Sequence, residues 1–515
     1  MIGYQLSINA SRYPDAIALA FGARRYAYAE FNARACRVAN GLTALGVGRG
    51  DRIATLVHNC NQFLEMFFAA AKLGAVFVPI NFRLAAREVA LVISACGPRV
   101  LLAGNDFAAM VAELKNQVPF PEHLVWVDDS FPADRKDGSD SPYERWLHVH
   151  PAEEPEVVIG ADDVEMLMHS SGTTGTPKGI IYTHATTLAS SMAKIIDFGL
   201  TQSDSTVVFG PLFHAGPLLD LALPLLLRGG RVVLGPSRQF DPARLLRTVA
   251  DERATLVPIY PTMLRRVLAL EDLDRFDLTS LRLMVTGGEA VPLPVLQGVY
   301  DRFPHVGFIN TYGSTESGPV TTFLSPAESV RKMGSVGLPS VGVEVRMVDK
   351  QGQVLGAGLV GELLVRSPFV CRGYWNQPAA TAESLRNGWW YTGDLALRDE
   401  EGYIWITGRR KDMIKSGTEN IYPIEVEQVI ATLAGVTEVG VIGVPDEEWG
   451  ESVAAFVVRA PGASLDAAAI VEYCRRQLAS YKKPRHVLFV DSLPRNTTNK
   501  VSKIALRAQF AALMR

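Results

Sequence analysis

The chain has 515 residues, of which 48% are hydrophobic and 20% charged; this exceeds what one domain usually holds and predicts at least two. A net charge of −3 argues against a nucleic-acid partner and against electrostatic binding to an anionic membrane. The cysteines are odd in number and widely spaced, which indicates reduced core thiols rather than disulfides or a zinc site. They are Cys36, Cys60, Cys96, Cys371 and Cys474.

No targeting or membrane segment is evident from the composition. The first ten residues lack the basic region and apolar core of a secretory signal. The most apolar stretch, residues 218–227, is short for a membrane span and is interrupted by Asp220 and Pro224. We therefore predict a cytoplasmic protein without stable membrane insertion.

Residues 1–150 alternate between the hydrophobic periods of strands and helices. The predicted elements are strands at 52–58, 76–80 and 100–103 and helices at 61–73 and 85–96. Gly74 and Gly97 end the two helices. Strand–helix–strand repetition with short connections predicts a mainly parallel sheet covered by helices. The polar residues 128–156 are predicted to form a surface connection.

A segment rich in glycine and hydroxyl groups follows the apolar residues 166–168. Glycine frees backbone N–H groups to surround an anion, Ser and Thr add donors, and Lys178 adds charge. We predict a phosphate-binding loop, with an ordinary solvated loop as the alternative. Pro177 before Lys178 and Gly179 after it argue against a P-loop NTPase. The predicted phosphate contacts are Ser170, Ser171, Gly172, Thr173, Thr174, Gly175 and Lys178.

Beyond this loop, strands are predicted at 179–182 and 206–209 and a helix at 185–196. Phe213 and His214 then occupy a strand-to-helix junction, where ligand contacts concentrate. A lone histidine is often structural, so the pattern alone leaves the role of His214 open. The apolar residues 218–227 are typical of a buried core helix.

Two further predicted strands, 283–285 and 306–309, each end in a polar segment that contains glycine. Ligands bind at the carboxyl ends of strands in an open parallel sheet, so the two segments predict one crevice. The candidate residues are Gly288, Glu289 and Ala290 on the first segment and Asn310, Thr311, Tyr312, Gly313, Thr315 and Glu316 on the second.

Residues 334–406 shift towards short β segments, with strands predicted at 343–348, 361–366 and 403–406, and indicate an antiparallel subdomain. Asp394 follows Gly393 in a predicted turn, where a carboxylate suits the vicinal hydroxyls of a ribose. The basic residues 408–423 have the character of an interdomain hinge, with a solvated charge run as the alternative.

These blocks, in this order, resemble the adenylate-forming (AMP-binding) superfamily over nearly the whole chain. That family includes acyl-CoA synthetases, nonribosomal peptide adenylation domains and beetle luciferases. Residues 493–503 are similar to the family's catalytic-lysine motif, and residues 72–81 look most like the fatty-acid–CoA ligase branch. Two positions depart from the family pattern, because Thr418 and Asn499 stand where glycine is usual.

The resemblance implies an α/β fold. A large N-terminal domain (1–410) of helix-covered, mainly parallel sheets carries a β-rich subdomain at about 334–406, and a small α+β C-terminal lid domain (411–515) follows a hinge near Lys411. The implied activity is ATP-dependent conversion of a carboxylic acid to acyl-AMP, followed by thioester formation with CoA. ATP, Mg²⁺ and CoA are the implied cofactor and co-substrates. The resemblance leaves open whether the chain forms a homodimer.

The resemblance also implies roles for single residues. Lys500 stabilises charge during adenylation, Lys415 serves the second half-reaction, and His214 with Phe213 gates the acid pocket. Thr315 approaches the α-phosphate, and Glu316 holds Mg²⁺, which prefers oxygen ligands. The Tyr312 ring lies against the adenine. The further implied contacts are Asp394 and Arg409 at the ribose, Lys411 at the pivot and Gly417 at the thiol tunnel.

Several substrates stay open at this point. The neutral-capable His214 occupies the place where amino-acid-activating relatives carry an Asp, so an α-amino group would find no counter-ion. A medium- or long-chain fatty acid is the first choice, and an aromatic or cyclic carboxylate is the second. A stand-alone adenylation enzyme that loads a carrier protein is a further alternative. The presence of Lys500 and Lys415 argues against a non-catalytic AMP sensor.

Overall fold

The computed structural model describes residues 1–130, 141–170, 177–288, 291–417, 419–496 and 500–513, with the backbone alone at Ser170. The helices are α1 Ile2–Arg12, α2 Tyr28–Ala44, α3 Asn61–Leu73, α4 Ala86–Cys96, α5 Ala108–Leu114, α6 Pro142–His148, α7 His184–Asp197, α8 Leu223–Arg228, α9 Pro242–Asp251, α10 Pro261–Leu268, α11 Leu293–Arg302, α12 Pro378–Ser384, α13 Pro423–Ala431, α14 Ala467–Gln477 and α15 Lys503–Leu513. A π-helical segment, Gly216–Ala222, precedes α8.

The strands of the described residues are β1 Ile17–Phe21, β2 Arg24–Ala27, β3 Arg52–Leu56, β4 Val76–Pro79, β5 Val100–Gly104, β6 His123–Val127, β7 Val164–Ser170, β8 Lys178–Thr183, β9 Ser205–Val208, β10 Arg231–Leu234, β11 Leu256–Pro258, β12 Leu283–Gly287, β13 Gly307–Ser314, β14 Gly318–Leu324, β15 Leu338–Pro339, β16 Glu344–Val348, β17 Gly361–Arg366, β18 Leu385–Arg386, β19 Trp389–Arg398, β20 Ile404–Arg409, β21 Ile414–Ser416, β22 Glu419–Ile421, β23 Val436–Asp446, β24 Gly450–Arg459 and β25 His486–Phe489.

Two mainly parallel sheets make up the large part of the molecule. The first has the order β6-β5-β3-β4-β7-β8, with only β8 antiparallel to its neighbour. The second has the order β15-β14-β13-β12-β11-β9-β10-β1-β2, with antiparallel strands at its two edges. Every residue of α3 is buried, and its apolar side chains share one core with strands of both sheets. The predicted α/β fold with helix-covered parallel sheets is confirmed.

A β-rich part and an α+β part follow, as predicted. The order β16-β17-β19-β18, with β20 on β19, is antiparallel throughout. The last sheet has the order β22-β21-β24-β23, with β25 parallel to β24. Helices α13 and α14 pack on one face of this sheet and α15 on the other. This small unit carries Lys415 and Lys500, and it is called the lid below.

Two strands run further than the sequence predicts. β13 was expected to end at Ile309 but continues to Ser314, because Asn310 to Tyr312 pair with β14. β19 passes through Gly393 and Asp394, which the sequence placed in a turn. The glycine and polar residues that suggested loops therefore lie in paired strands, where hydrogen bonds to the neighbouring strand override local preference.

Residues 128–156 are not the simple surface connection that the sequence suggested. Helix α6 lies within them, capped by the Ser141 hydroxyl, and it buries Tyr143 and Leu147. The Tyr143 hydroxyl donates to Glu65 Oε2 of α3 at 2.7 Å. The sequence did not predict α6 because this helix has only seven residues and turn-forming residues surround it. Residues 131–140 of this stretch lie outside the described residues.

One prediction from composition agrees with the structure. All five cysteines are buried with free thiols, as expected of core residues. In the part of the chain that the structure describes, no helix has the length and apolarity that crossing a membrane requires.

Candidate functional site

Lys178 stands at the start of β8, and an adjacent segment fixes its surroundings. Residues 372–375 pair with β8: the Ile181 N–H donates to the Gly373 carbonyl at 3.0 Å, and the Trp375 N–H to the Gly179 carbonyl at 2.7 Å. This pairing brings the Tyr374 ring under the lysine, whose Nζ lies 4.6 Å from the ring centroid. Such a cation–π contact holds the ammonium without neutralising its charge.

Tyr374 also reaches the candidate metal ligand. Its hydroxyl donates to Glu316 Oε1 at 3.3 Å, and the Glu316 carbonyl accepts from the Cys371 N–H at 2.9 Å. The Tyr182 hydroxyl of β8 donates to the carbonyl of Thr315. The segment after β13 is therefore tied to β8 and to residues 371–374, and Lys178 and Glu316 contact one aromatic side chain.

The residues around Glu316 fit a magnesium ion that is shared with a nucleotide. Among the described residues, no group of three His, Cys, Asp or Glu side chains is placed to hold a metal alone. Mg²⁺ commonly binds one or two carboxylates and completes its shell with phosphate and water oxygens. Glu316 provides such a carboxylate: it is only partly buried, and among the described residues only the Tyr374 hydroxyl donates to it.

Tyr312, Asp394 and Arg409 meet where the predicted ribose site should be. The Tyr312 hydroxyl donates to Asp394 Oδ2 at 2.6 Å, and Arg409 Nε lies 3.2 Å from Asp394 Oδ1. β19 and β20 place Asp394 opposite Arg409 in their register. Burial and then the Asp394 charge raise the pKa of Tyr312, so its hydroxyl stays a donor at neutral pH.

The ends of β12 and β13 approach too closely for side chains. Gly287 lies opposite Thr311, and a Cβ there would be 2.1 Å from Thr311 Oγ1. Thr311 Oγ1 donates to the Thr286 carbonyl at 2.9 Å, and Asn310 Nδ2 to the Ser335 carbonyl at 3.2 Å. The side chains of Asn310 and Thr311 thus bind backbone carbonyls and fix the two strand ends.

The acid pocket that the resemblance implies would begin at His214. His214, Ala215 and Gly216 are partly exposed, whereas the residues on either side of them are buried. The Phe213 and His214 ring centroids are 4.2 Å apart, and Phe82 meets Phe213 edge-on at 4.9 Å. Six leucines that follow have at most 1% exposure and belong to the core: Leu218, Leu219, Leu221, Leu223, Leu225 and Leu226.

Lys500 of the lid acts on His214 through its charge. Burial lowers the pKa of His214 to about 3, with smaller contributions from the charges of Arg83 and Lys500, so the ring is neutral at pH 7. Lys500 is therefore within electrostatic range of His214. Its N–H donates to Asn496 Oδ1 at 2.9 Å, and the Asn496 N–H donates to the Lys500 carbonyl at 2.8 Å.

The backbone N–H groups of Lys415 and Gly417 are bonded within the lid. Both are exposed on the lid; the Lys415 N–H donates to Glu451 Oε2 at 2.7 Å and the Gly417 N–H to the Trp449 carbonyl at 2.7 Å. Lys411 is exposed just after β20. Next to it, Asp412 and Arg507 of α15 form an ion pair at 3.3 Å.

Several predicted contacts fall on residues whose placement is not described. They are Ser171, Gly172, Thr173, Thr174, Gly175, Glu289 and Ala290, together with the two departures from the family pattern, Thr418 and Asn499. Gly288 is described, with φ of +86°, a backbone conformation that favours glycine. A Cβ on Gly313 would lie 2.4 Å from the Gly318 carbonyl oxygen.

Sequence reasoning missed Tyr374, which links Lys178 to Glu316, and Gly287, whose lack of a side chain lets β12 and β13 meet. It also missed Phe82 and Arg83 at the pocket. The aromatic pair of Tyr374 and Trp375 directly after Gly373 was the available signal. Nothing local marks Phe82 or Arg83, because their neighbours in space come from distant parts of the chain.

Comparison with known proteins gives consistent matches. The model of the AMP-binding enzyme family matches residues 6–375, and that of the AMP-binding enzyme C-terminal domain matches residues 425–500. The chain is 39% identical to feruloyl-CoA synthase of Amycolatopsis sp, over 96% of each chain. It is 38% identical to the long-chain-fatty-acid–CoA ligase FadD13 of Mycobacterium tuberculosis, over 95% of this chain and 94% of that one.

A solved structure supports the same grouping. The anthranilate CoA ligase AuaEII in complex with anthranoyl-AMP has a TM-score of 0.91 and 29% identity to this chain, with coverage of 99% of this chain and 98% of the other.

Proposed function

The chain belongs to the AMP-binding enzyme family and is an AMP-forming acid–CoA ligase, and we propose how its residues divide the two half-reactions. The large domain, 1–410, binds the substrates. The lid, 411–515, turns about Lys411 between one pose for each half-reaction. One observation supports this division: the charge of Lys500 acts on His214, whereas Lys415 lies beside Glu451 of the lid, whose carboxylate accepts from its backbone N–H.

In the first half-reaction, a carboxylate oxygen of the acid attacks the α-phosphorus of ATP, and the bond to pyrophosphate breaks. Lys178 and the loop before it bind the phosphates, and Tyr312, Asp394 and Arg409 bind the ribose. Glu316 would hold Mg²⁺, which neutralises phosphate charge when bound. The Lys500 ammonium stabilises the negative charge that the carboxylate and α-phosphate bring together.

In the second half-reaction, the CoA thiol attacks the acyl carbonyl carbon and AMP leaves. Lys415 and Gly417 must then replace Lys500 at the reaction centre, which requires rotation of the lid. Two poses let one crevice serve two different transition states. The ion pair of Asp412 with Arg507 supports a lid that moves as a unit with the segment after Lys411.

We propose an acid with an apolar body. A medium- or long-chain fatty acid is the first candidate, and the likeness to FadD13 supports it. An aromatic acid is the second candidate. It is favoured by the adjoining rings of Phe82, Phe213 and His214 and by the likeness to feruloyl-CoA synthase. A reducing cytoplasmic setting is part of the proposal and is supported by the five buried free thiols.

The test is pyrophosphate release from ATP with a panel of fatty and aromatic acids, with and without CoA, followed by mass analysis of the products. We expect an acyl-CoA from one chemical class. Pyrophosphate release without a thioester would identify a carrier protein as the acceptor instead of CoA. No release with any acid would contradict the proposed division of roles.

A further inference from the structure

A buried polar cluster lies behind the pocket, on residues that the two half-reactions do not use. Asp220 belongs to the π-helical segment that starts two residues after His214, and Lys194 belongs to α7. The two residues are 7% and 1% exposed. Lys194 Nζ lies 3.9 Å from Asp220 Oδ1 and donates to Ser190 Oγ at 2.7 Å. The cluster is therefore a buried ion pair that is too long for a direct hydrogen bond.

Two polar atoms of this cluster have no hydrogen-bond partner among the described residues. They are Asp220 Oδ1 and the hydroxyl oxygen of Tyr260, the residue before α10. Burial and then the Asp220 charge raise the pKa of Tyr260, so the carboxylate acts on the phenol. Leaving a buried polar atom unsatisfied costs about 1–3 kcal/mol. Such atoms next to a pocket indicate a missing polar partner.

The cluster adjoins the pocket that begins at His214. A Cβ on Gly216 would lie 2.5 Å from the Tyr260 hydroxyl, and Gly216 is one of the partly exposed residues of the pocket. The Asp220 side chain keeps 11% of its surface accessible, against 2% for Lys194. Asp220 thus lies on the accessible side of the pair, with Lys194 behind it.

Asp220 lies farther along the chain than the residues at the proposed reaction centre. It comes six residues after His214 and four after Gly216, in the π-helical segment. In the proposed reaction, Lys500, whose charge acts on His214, marks the end of the acid that carries the reacting carboxylate. A group that reaches Asp220 is therefore at the far end of the acid.

The charges of the cluster select the kind of group. A second carboxylate would be repelled by Asp220, and Lys194 already supplies the counter-charge that an ammonium would bring. An apolar end would leave Asp220 Oδ1 and the Tyr260 hydroxyl unpaired. A hydroxyl group both donates and accepts, so it satisfies the carboxylate and the phenol together.

We propose that Asp220 and Tyr260 recognise a hydroxyl group at the far end of the acid, with Lys194 positioning the Asp220 carboxylate. The hydroxyl donates to Asp220 and accepts from Tyr260. This inference rests on the proposed acid–CoA ligase reaction and narrows its substrate. A hydroxylated aromatic acid and a hydroxylated fatty acid both present this group, so the experiment tests acids of both classes.

The first experiment measures kcat/KM of acyl-CoA formation by the unaltered enzyme with two matched pairs. These are 4-hydroxycinnamate against cinnamate, and 12-hydroxydodecanoate against dodecanoate. We expect the hydroxylated acid to be preferred about 10-fold to 100-fold in one pair, since its absence leaves buried groups unpaired. The preferred pair identifies the source of the hydroxyl. Equal values within both pairs would overturn this inference while the ligase reaction stands.

The second experiment removes the recognising groups. Tyr260→Phe deletes only an unpaired hydroxyl, so the melting temperature should not fall, and the preference should drop about fivefold or more. The double variant Lys194→Met with Asp220→Leu removes both charges and avoids stranding one of them in the core; it should abolish the preference. Tyr300→Phe, on α11, is the matched control and should keep the preference for the hydroxylated acid.

A purely structural role would lower kcat/KM equally for both acids of a pair, which would count against the inference. Absence of acyl-CoA from every acid tested would instead reject the ligase reaction and this inference with it.

Discussion

The histidines near the site are kept neutral by their surroundings. Burial lowers the pKa of His58 and of His169 to about 4, and that of His214 to about 3. A neutral imidazole at His214 has no charge to offer an incoming carboxylate. In the proposed mechanism, the positive charge that the acid meets comes instead from Lys500 of the lid.

Lys500→Ala is expected to slow acyl-AMP formation by about 100-fold to 1,000-fold, as removal of one preorganised transition-state donor does. The measurement is pyrophosphate release with a saturating acid and no CoA. Lys503→Ala is the control, because Lys503 is three residues away and forms an ion pair with Glu427 at 3.0 Å. An unchanged rate for Lys500→Ala would remove this lysine from adenylation.

A second prediction at this scale concerns His184, the first residue of α7. It has 0% exposure, and neither ring nitrogen has a partner among the described residues. Burial lowers the pKa of His184 to about 4, below the unfolded value near 6.5. The unfolded chain therefore takes up the proton first, and the free energy of unfolding falls as the pH drops from about 6.5 to 4.

His184→Leu should raise the melting temperature and flatten its decline between pH 7 and pH 5. The loss attributable to His184 reaches about 3 kcal/mol at pH 4, at about 1.4 kcal/mol per pKa unit. Thermal unfolding at a series of pH values measures it. The exposed His148→Leu serves as the control, and equal slopes for both variants would contradict the prediction.

At the scale of elements, the crevice depends on strands that approach without side chains. Gly287 of β12 faces Thr311, and Gly313 of β13 faces the backbone at Gly318. Because Tyr312 and Glu316 lie on either side of Gly313 in the chain, the turn from β13 to β14 sets where the proposed ribose and metal contacts lie. The distance in space between Tyr312 and Glu316 is therefore fixed by the pairing of β13 with β14.

Gly313→Ala is expected to raise the KM for ATP about 10-fold or more, since a Cβ 2.4 Å from the Gly318 carbonyl oxygen forces the strands apart at a typical cost of about 1–3 kcal/mol. Steady-state kinetics with varied ATP measures the effect. Gly356→Ala is the matched control, because no atom lies within 4 Å of its added Cβ. Equal KM values for the two variants would show that β13 tolerates the displacement.

At the scale of the whole molecule, one lid carries both candidate lysines in different places. The charge of Lys500 acts on His214, whereas Lys415 and Gly417 donate their N–H groups to Glu451 and Trp449 of the lid. Alternation of the two lysines at one reaction centre requires the chain near Lys411 to change its dihedral angles. In the proposed mechanism, the hinge therefore governs the second half-reaction more than the first.

Lys411→Pro should slow thioester formation strongly and leave pyrophosphate release nearly unchanged, because proline fixes φ at about −65°. The two half-reactions are measured separately, by pyrophosphate release without CoA and by single-turnover transfer from preformed acyl-AMP. Lys411→Ala keeps the backbone free and should retain both rates. Equal slowing of both steps in the proline variant would show that Lys411 is not the pivot.

The amino-acid sequence by itself determined the fold class and the order of the chemical blocks. Helix α3 and strand β17 have the bounds that hydrophobic period predicted, because local periodicity is encoded in neighbouring residues. Gly74 ends α3 in the left-handed conformation, as its glycine indicated. The motif residues Lys178, Glu316, Asp394 and Lys500 were also found without a structure, and their roles stay predictions.

Only the tertiary structure decided which groups meet. Tyr374 joins Lys178 to Glu316 because residues 372–375 pair with β8 across almost 200 residues of chain. The pair of Lys194 with Asp220, and the unpaired hydroxyl of Tyr260 beside it, bring together three separate segments. Hydrophobic period and turn preference act over a few residues. Burial, close approach and unpaired polar atoms depend on packing between distant elements, so they appear only once the chain has folded.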